Sequence, residues 1–236
     1  MTDKIISRRA DGVGHVVFNN PERRNAVSLE MWHAVEGALD AFANDDEVRV
    51  VVLSGAGDKA FVSGADVSKF EDERSGAAAV ARYNATTARI YGKLEDLRVC
   101  GEGARFSIPA AKLGLGYGFA GLKRLVDVVG PSFAKEMFFT ARLFSAAEAQ
   151  AMGLVNRVVA DAEVAAYVAE YARTITANAP LTIGAVKAVV GEVLKDPAAR
   201  DLARCEELVA ACFASRDYVE GRRAFLEKRK PEFIGA

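Results

Sequence analysis

The chain has 236 residues, 51% of them hydrophobic and 27% charged, enough for one large domain or a domain with a small companion. Lys and Arg number 31 against 32 Asp and Glu, and a net charge of -1 argues against a general nucleic-acid or acidic-membrane surface. The three cysteines, Cys100, Cys205 and Cys212, read as free thiols in a reducing compartment, each a small buried hydrophobe. The start MTDKIISRR has no apolar core of signal-peptide length, and no apolar run is long enough to cross a bilayer. A cytoplasmic protein with no membrane and no nucleic-acid partner is therefore expected.

Lys4 to Arg9 and Val13 to Asn19 have the composition of two strands, and ADG between them is a hairpin signal. NNPERRN reads as a loop, after which Ser28 is placed to cap a helix running to about Asn44. Leu29, Trp32, Val35, Leu39 and Phe42 recur along it at helical spacing. The run VRVVVLSG, Val48 to Gly55, is continuously apolar, as a buried parallel strand is, and strand, helix, strand predicts a βαβ unit. Ala60 to Val62 reads as a further short strand, and Gly76 to Leu97 as mostly helical. Gly101 to Phe119 is rich in glycine and has no clear period. Pro131 suits the first turn of a helix through Thr140, SAAE at Ser145 to Glu148 is a capping box, and Gly153 is a helix stop. LVNRVV is a last short strand, and from Asp161 nearly everything is helical, broken at Pro180, Asp196-Pro197 and Ser215. The expected class is α/β, with a first domain over residues 1–160 and a helical region over 161–236.

Few residues can carry chemistry. His15 lies mid-strand and His33 in the first helix, so a Ser-His-Asp triad has little to draw on. No Cys/His set has zinc spacing, and no metal is expected. GLGYGFAG is neither a Walker loop nor a dinucleotide fingerprint. EKRK, Glu227 to Lys230, is read as a solvated face or helix end. SGADVSKF is more suggestive: Gly64 lets the backbone turn closely, and the following N–H groups can face partial negative charge. Two such donors make an oxyanion hole.

In order, NNPERRNAVSLEMW, VRVVVLSGAGDKAFVSGADVSKF, ARFSIPAAKLGLGYGFAGLKRLVDVVG, FTARLFSAAEAQAMGLVNRVV and AFLEKRKPEF resemble the crotonase superfamily, the enoyl-CoA hydratases and isomerases. The resemblance spans almost the whole chain. It implies a ββα spiral core with a helical C-terminal oligomerisation region, assembly as a trimer or dimer of trimers, and an acyl-CoA thioester substrate. No cofactor is then bound permanently, and coenzyme A arrives as part of the substrate. Two backbone N–H groups hold the thioester oxygen as it becomes an enolate, and by position Ala65 supplies the first. Ser63, Gly64, Ala65, Asp66 and Val67 then line the adenine and pantetheine region. Arg24 and Ala26 match the segment that contacts the coenzyme. Phe225 and Lys228 match residues that close the coenzyme site, often from a neighbouring subunit.

The sequence departs from the family in two places. Leu97 and Arg98 look like the two sides of a missing strand, turn and helix, roughly two dozen residues. In the family that piece carries the second oxyanion donor and one of the two hydratase glutamates. The other glutamate aligns with Ala110, and Ala104 to Val126 contains no Asp or Glu at all, which weakens hydratase chemistry. Tyr117 stands where methylmalonyl-CoA decarboxylase-like members also carry a Tyr, and the C-terminal AFLEKRKPEF resembles theirs. The expected activity is thioester-enolate chemistry of the hydratase/isomerase family. Its alternatives are an acyl-CoA decarboxylase and a non-catalytic CoA-binding pseudoenzyme.

Overall fold

The computed structural model describes residues 2–94 and 97–236. It forms two compact units, the first ending at Ala169 and the second running from Glu170 to Ala236. The chain opens with the expected hairpin. β1 (Ile5–Ala10) pairs antiparallel with β2 (Val13–Phe18), and Asp11 and Gly12 turn the chain at φ of 50° and 76°. Both turn residues sit in the left-handed region that a two-residue hairpin turn demands. The Ser28 hydroxyl accepts from the Met31 N–H and starts α1 (Leu29–Ala43), whose Met31, Trp32, Val35 and Leu39 are buried. β3 (Val50–Gly55) returns parallel to β2, completing the βαβ unit.

After β3 the chain runs through α2 (Phe70–Glu73) to α3 (Ala77–Tyr91). The predicted helix to Leu97 therefore ends earlier, and Glu95 and Asp96 of that prediction lie outside the described residues. β4 (Val99–Gly101) and β5 (Arg105–Phe106) precede α4 (Ala110–Leu113). α5 (Phe119–Thr140) is interrupted at Gly130, φ 76°, so Pro131 begins its second segment as expected. β6 (Phe144–Ser145) pairs with β5, and β7 (Arg157–Val159) pairs parallel with β4. Between them α6 (Ala146–Ala151) begins at a complete capping box: the Ser145 hydroxyl accepts from the Glu148 N–H, and the Glu148 carboxylate accepts from the Ser145 N–H. The remaining helices are α7 (Val164–Thr176), α8 (Pro180–Val193), α9 (Leu202–Ala214) and α10 (Arg216–Glu227). Pro180 stands in the first turn of α8, and Ser215 caps α10.

Three local expectations need correction. Ala60–Val62 is not a strand, because the Ala60 carbonyl is taken by the Asn25 side chain and the chain next to it pairs with the loop before α1. All six residues of β3 are only partly buried, although VVVLSG has the composition of a fully covered strand. The three cysteines are likewise half-buried. The β3 result follows from its neighbours: among the described residues β3 pairs with β2 alone, and β4 pairs with β7 alone. The first unit accordingly has two separate clusters of buried apolar side chains. One gathers Val16, Phe18, Met31, Trp32, Val35 and Ile90; the other gathers Val129, Ala134, Met137, Phe144 and Met152.

The capping box makes a prediction. Bonds from the Ser145 backbone and hydroxyl, then the Arg142 guanidinium, pull the Glu148 pKa down to about 2 from 4.5. A depressed carboxylate pKa gives stability that is whole above the ordinary value and lost as pH falls through the folded one. Wild type should melt above Glu148→Gln near neutrality, and the gap should close between 4.5 and about 2. A gap of unchanged size at both ends of that window would mean the ionised carboxylate contributes nothing.

Candidate functional site

The loop after β2 and the loop after β3 are knitted together by backbone. Ser63 N–H donates to the Arg24 carbonyl at 3.1 Å, Val27 N–H to Gly64 at 2.9 Å, and Asp66 N–H to Val27 at 2.9 Å. This forms a parallel bridge between Val27 and Ala65. A parallel ladder uses alternate residues, so Ala65 N–H is turned away from it, and among the described residues it has no acceptor. Gly64 adopts φ 122°, which an L-residue rarely holds. Arg24, Ala26 and Ser63 to Val67 are thus brought together, with Arg24, Ser63, Gly64 and Val67 exposed and Ala26 and Ala65 half-buried.

Asn25 holds this arrangement from beneath. It is 0% exposed, with a left-handed backbone at φ 55°. Its amide donates to the carbonyls of Ala56 (3.0 Å) and Ala60 (2.8 Å), and its side-chain oxygen accepts from the Asn20 N–H (2.8 Å). Gly55 lies so close that a Cβ there would meet the Phe61 and Ala60 carbonyls at 2.5 and 2.6 Å. Asp66 is 7% exposed, and its carboxylate accepts from the Ser68 hydroxyl (2.7 Å) and N–H (3.1 Å) and faces Arg23 at 3.3 Å. The Ser68 hydroxyl bond is the main reason its pKa is lowered. Asp66 is therefore a fixed carboxylate that shapes the turn, poorly suited to take and return a proton.

Tyr117 packs edge-on against Phe138, ring centroids 4.8 Å apart, and leaves 51% of its surface open. Burial raises its hydroxyl pKa, while the Arg74 charge, close enough to be felt, pulls the other way. Arg74 itself lies over the rings of Phe70 and Tyr83, 4.1 and 3.8 Å from their centroids. Ala110 is buried at the start of α4 and brings no titratable group. Phe225 (83% exposed) and Lys228, the left-handed cap of α10, belong to the second unit. His15 has its pKa lowered by burial and by Arg8, and His33 faces Glu36 at 3.9 Å on α1. The described residues contain no group of His, Cys, Asp and Glu able to hold a metal. None of their helices is long and apolar enough to cross a membrane.

Two sequence profiles, both of enoyl-CoA hydratase/isomerase, match residues 13–92 and 92–236. The chain belongs to the enoyl-CoA hydratase/isomerase family. Its fold is the crotonase type, a mixed α/β core followed by a helical C-terminal region. It is 29% identical to a crotonyl-CoA hydratase of Syntrophomonas wolfei, with 98% of each chain covered. It is 32% identical to the enoyl-CoA hydratase EchA19 of Mycobacterium tuberculosis, covering 98% of this chain and 96% of that one. An enoyl-CoA hydratase/carnithine racemase from Magnetospirillum magneticum superposes with a TM-score of 0.94 at 31% identity, covering 100% and 97% of the two chains. The alignment to the Syntrophomonas hydratase extends over 257 positions, 21 more than the 236 residues here, so that family member carries residues for which this one has none. The two profile matches meet at residue 92, shortly before Leu97.

Asn25 and Arg74 were not singled out in the sequence. Asn25 stands inside NNPERRN, where its only signal is that Asn tolerates a left-handed turn. Arg74 stands in EDERSG, a charge run of the kind that is usually a solvated face, and it carries no sequence signal at all.

Proposed function

We propose that this protein acts on an acyl-coenzyme A thioester and that the Ala65 N–H holds the thioester oxygen while negative charge develops on it. The observation that supports this most is the uncommitted Ala65 N–H, fixed by the Val27 bridge beside the left-handed Gly64. A donor that is already oriented, and is aimed where charge appears, lowers the barrier without reorganising during reaction. Arg24, Ala26 and Ser63 to Val67 lie along the coenzyme, and Phe225 and Lys228 of a neighbouring subunit close the site. The protein needs no resident cofactor, since coenzyme A comes with the substrate. It works as a homo-oligomer, a trimer or dimer of trimers. The second unit supports this with the exposed Val186, Val190, Phe213, Phe225 and Leu226 around a cavity of about 940 Å³. Sedimentation as a monomer would remove the oligomer from this proposal.

Hydration of an enoyl thioester needs an acid and a base near the α and β carbons. Ala110 supplies neither, and no Asp or Glu lies between Ala104 and Val126. This favours, as a second reading, a decarboxylation in which loss of carbon dioxide makes the enolate and the Tyr117 hydroxyl, its pKa raised by burial, supplies a proton.

The test is a panel of thioesters, with crotonyl-CoA followed by absorbance and methylmalonyl-CoA by carbon dioxide release, and binding of both by calorimetry. Turnover of crotonyl-CoA supports hydratase chemistry, and turnover of methylmalonyl-CoA alone supports decarboxylation. Binding of both with turnover of neither makes the protein a CoA-binding pseudoenzyme. Absence of binding to every ester removes the thioester proposal.

A further inference from the structure

Arg74 is in an unusual state. It follows α2, its N–H closes that helix on the Phe70 carbonyl, and its guanidinium is held between the rings of Phe70 and Tyr83. Its Nε is buried and has no hydrogen-bond acceptor. Among the described residues it makes no ion pair, although Glu71, Asp72 and Glu73 precede it directly. Glu73 is engaged elsewhere, accepting from the Leu29 N–H at 2.9 Å, and Glu71 and Asp72 are exposed. A guanidinium partly withdrawn from water is costly unless its donors are met, and two ring faces compensate only its π surface. The buried Tyr83 and the half-exposed Tyr117 feel or flank the same charge, so one fixed cation and two phenol rings share a single place in the first unit. Arg74 itself lies nine residues beyond Ala65 along the chain.

We propose that Arg74 is a carboxylate-binding residue and that the acyl group this protein takes carries a second, free carboxylate. The site so formed pairs the two terminal nitrogens of the guanidinium with a carboxylate of matching geometry, and the flanking rings set the plane in advance. A neutral acyl chain of the same length offers those donors no acceptor. This inference rests on the thioester proposal for its substrate, but Arg74 can be tested apart from it.

Succinyl-CoA and butyryl-CoA have acyl chains of four carbons and differ in the terminal carboxylate. Calorimetry with the full-length protein should show succinyl-CoA binding at least about tenfold more tightly. Arg74→Met fills the space between the rings without the charge and should bind both esters alike. Arg74→Lys should restore only part of the preference, because a point charge lacks the fork. In parallel, the ¹⁵N signal of the Arg74 Nε–H, assigned by its absence in Arg74→Lys, should move when free succinate is added. Equal affinities in the wild type, or a preference that survives Arg74→Met, overturn the proposal. If no thioester binds at all, the thioester proposal falls, and the succinate titration decides for Arg74 alone: a shifting Nε–H signal keeps the carboxylate site, a still one ends it.

Discussion

Replacing Ala65 by Pro lowers turnover of the thioester substrate by roughly a hundredfold to a thousandfold, the effect of deleting one oxyanion donor. The substitution is informative because it removes a hydrogen that no group among the described residues uses. The neighbouring donors are committed, Ser63 to the Arg24 carbonyl and Asp66 to the Val27 carbonyl, while Ala65 N–H faces away from the bridge. Proline therefore breaks no internal hydrogen bond here, and Gly64 before it is free of the side-chain clash that restricts most residues ahead of proline. Asp66→Pro serves as the contrasting variant, since it does remove a bond that ties the two loops. The expected pattern is a folded, weakly active Ala65→Pro protein beside a destabilised Asp66→Pro protein. Near-normal kcat/KM in a folded Ala65→Pro protein would show that the thioester oxygen sits elsewhere.

Asn25→Ala destabilises the protein by about 3–5 kcal/mol, the largest loss expected from a single polar side chain here. Three backbone groups lose their partner together: the carbonyls of Ala56 and Ala60 and the Asn20 N–H. All three bonds come from a side chain that is 0% exposed, so water does not replace them without opening the loop. A further cost arises because alanine is strained at the φ of 55° that Asn25 adopts. Asn25→Asp keeps the acceptor for Asn20 but sets a carboxylate against two carbonyls, so it should not rescue stability. Urea denaturation of the three proteins measures this. A loss below about 1 kcal/mol for Asn25→Ala would mean the loop carries its own weight without the amide.

Local signals in the sequence were good guides. The ADG turn, the Ser28 cap, the Ser145–Glu148 box and Pro131, Pro180 and Ser215 all mark element ends, because the groups that end an element lie within a few residues of it. Ala60–Val62 misled because a short apolar run has no marker distinguishing strand from loop, and here Asn25, far earlier in the chain, decides it. The burial of β3 misled because the composition of VVVLSG records the neighbours such a strand has in a covered sheet, and only β2 stands beside it among the described residues. At the site, the chain order of motifs pointed to Ala65 and the Ser63–Val67 turn. Arg74 was illegible, since its stacking depends on Tyr83 from another helix and its lack of an ion pair among the described residues on where three acidic neighbours point.

The two separate buried clusters bear on what a spectroscopist sees. The chain has one tryptophan, Trp32, and it lies in the cluster around α1, edge-on to Phe18 and Tyr91. The cluster around Met137 and Phe144 contains no indole. Tryptophan emission is thus a local reporter of the half of the first unit that holds Asn25 and Ala65, and it is silent about the other half. A fluorescence midpoint and a backbone-dichroism midpoint measured on this protein are two different quantities, and their difference is itself a measure of how tightly the halves are coupled.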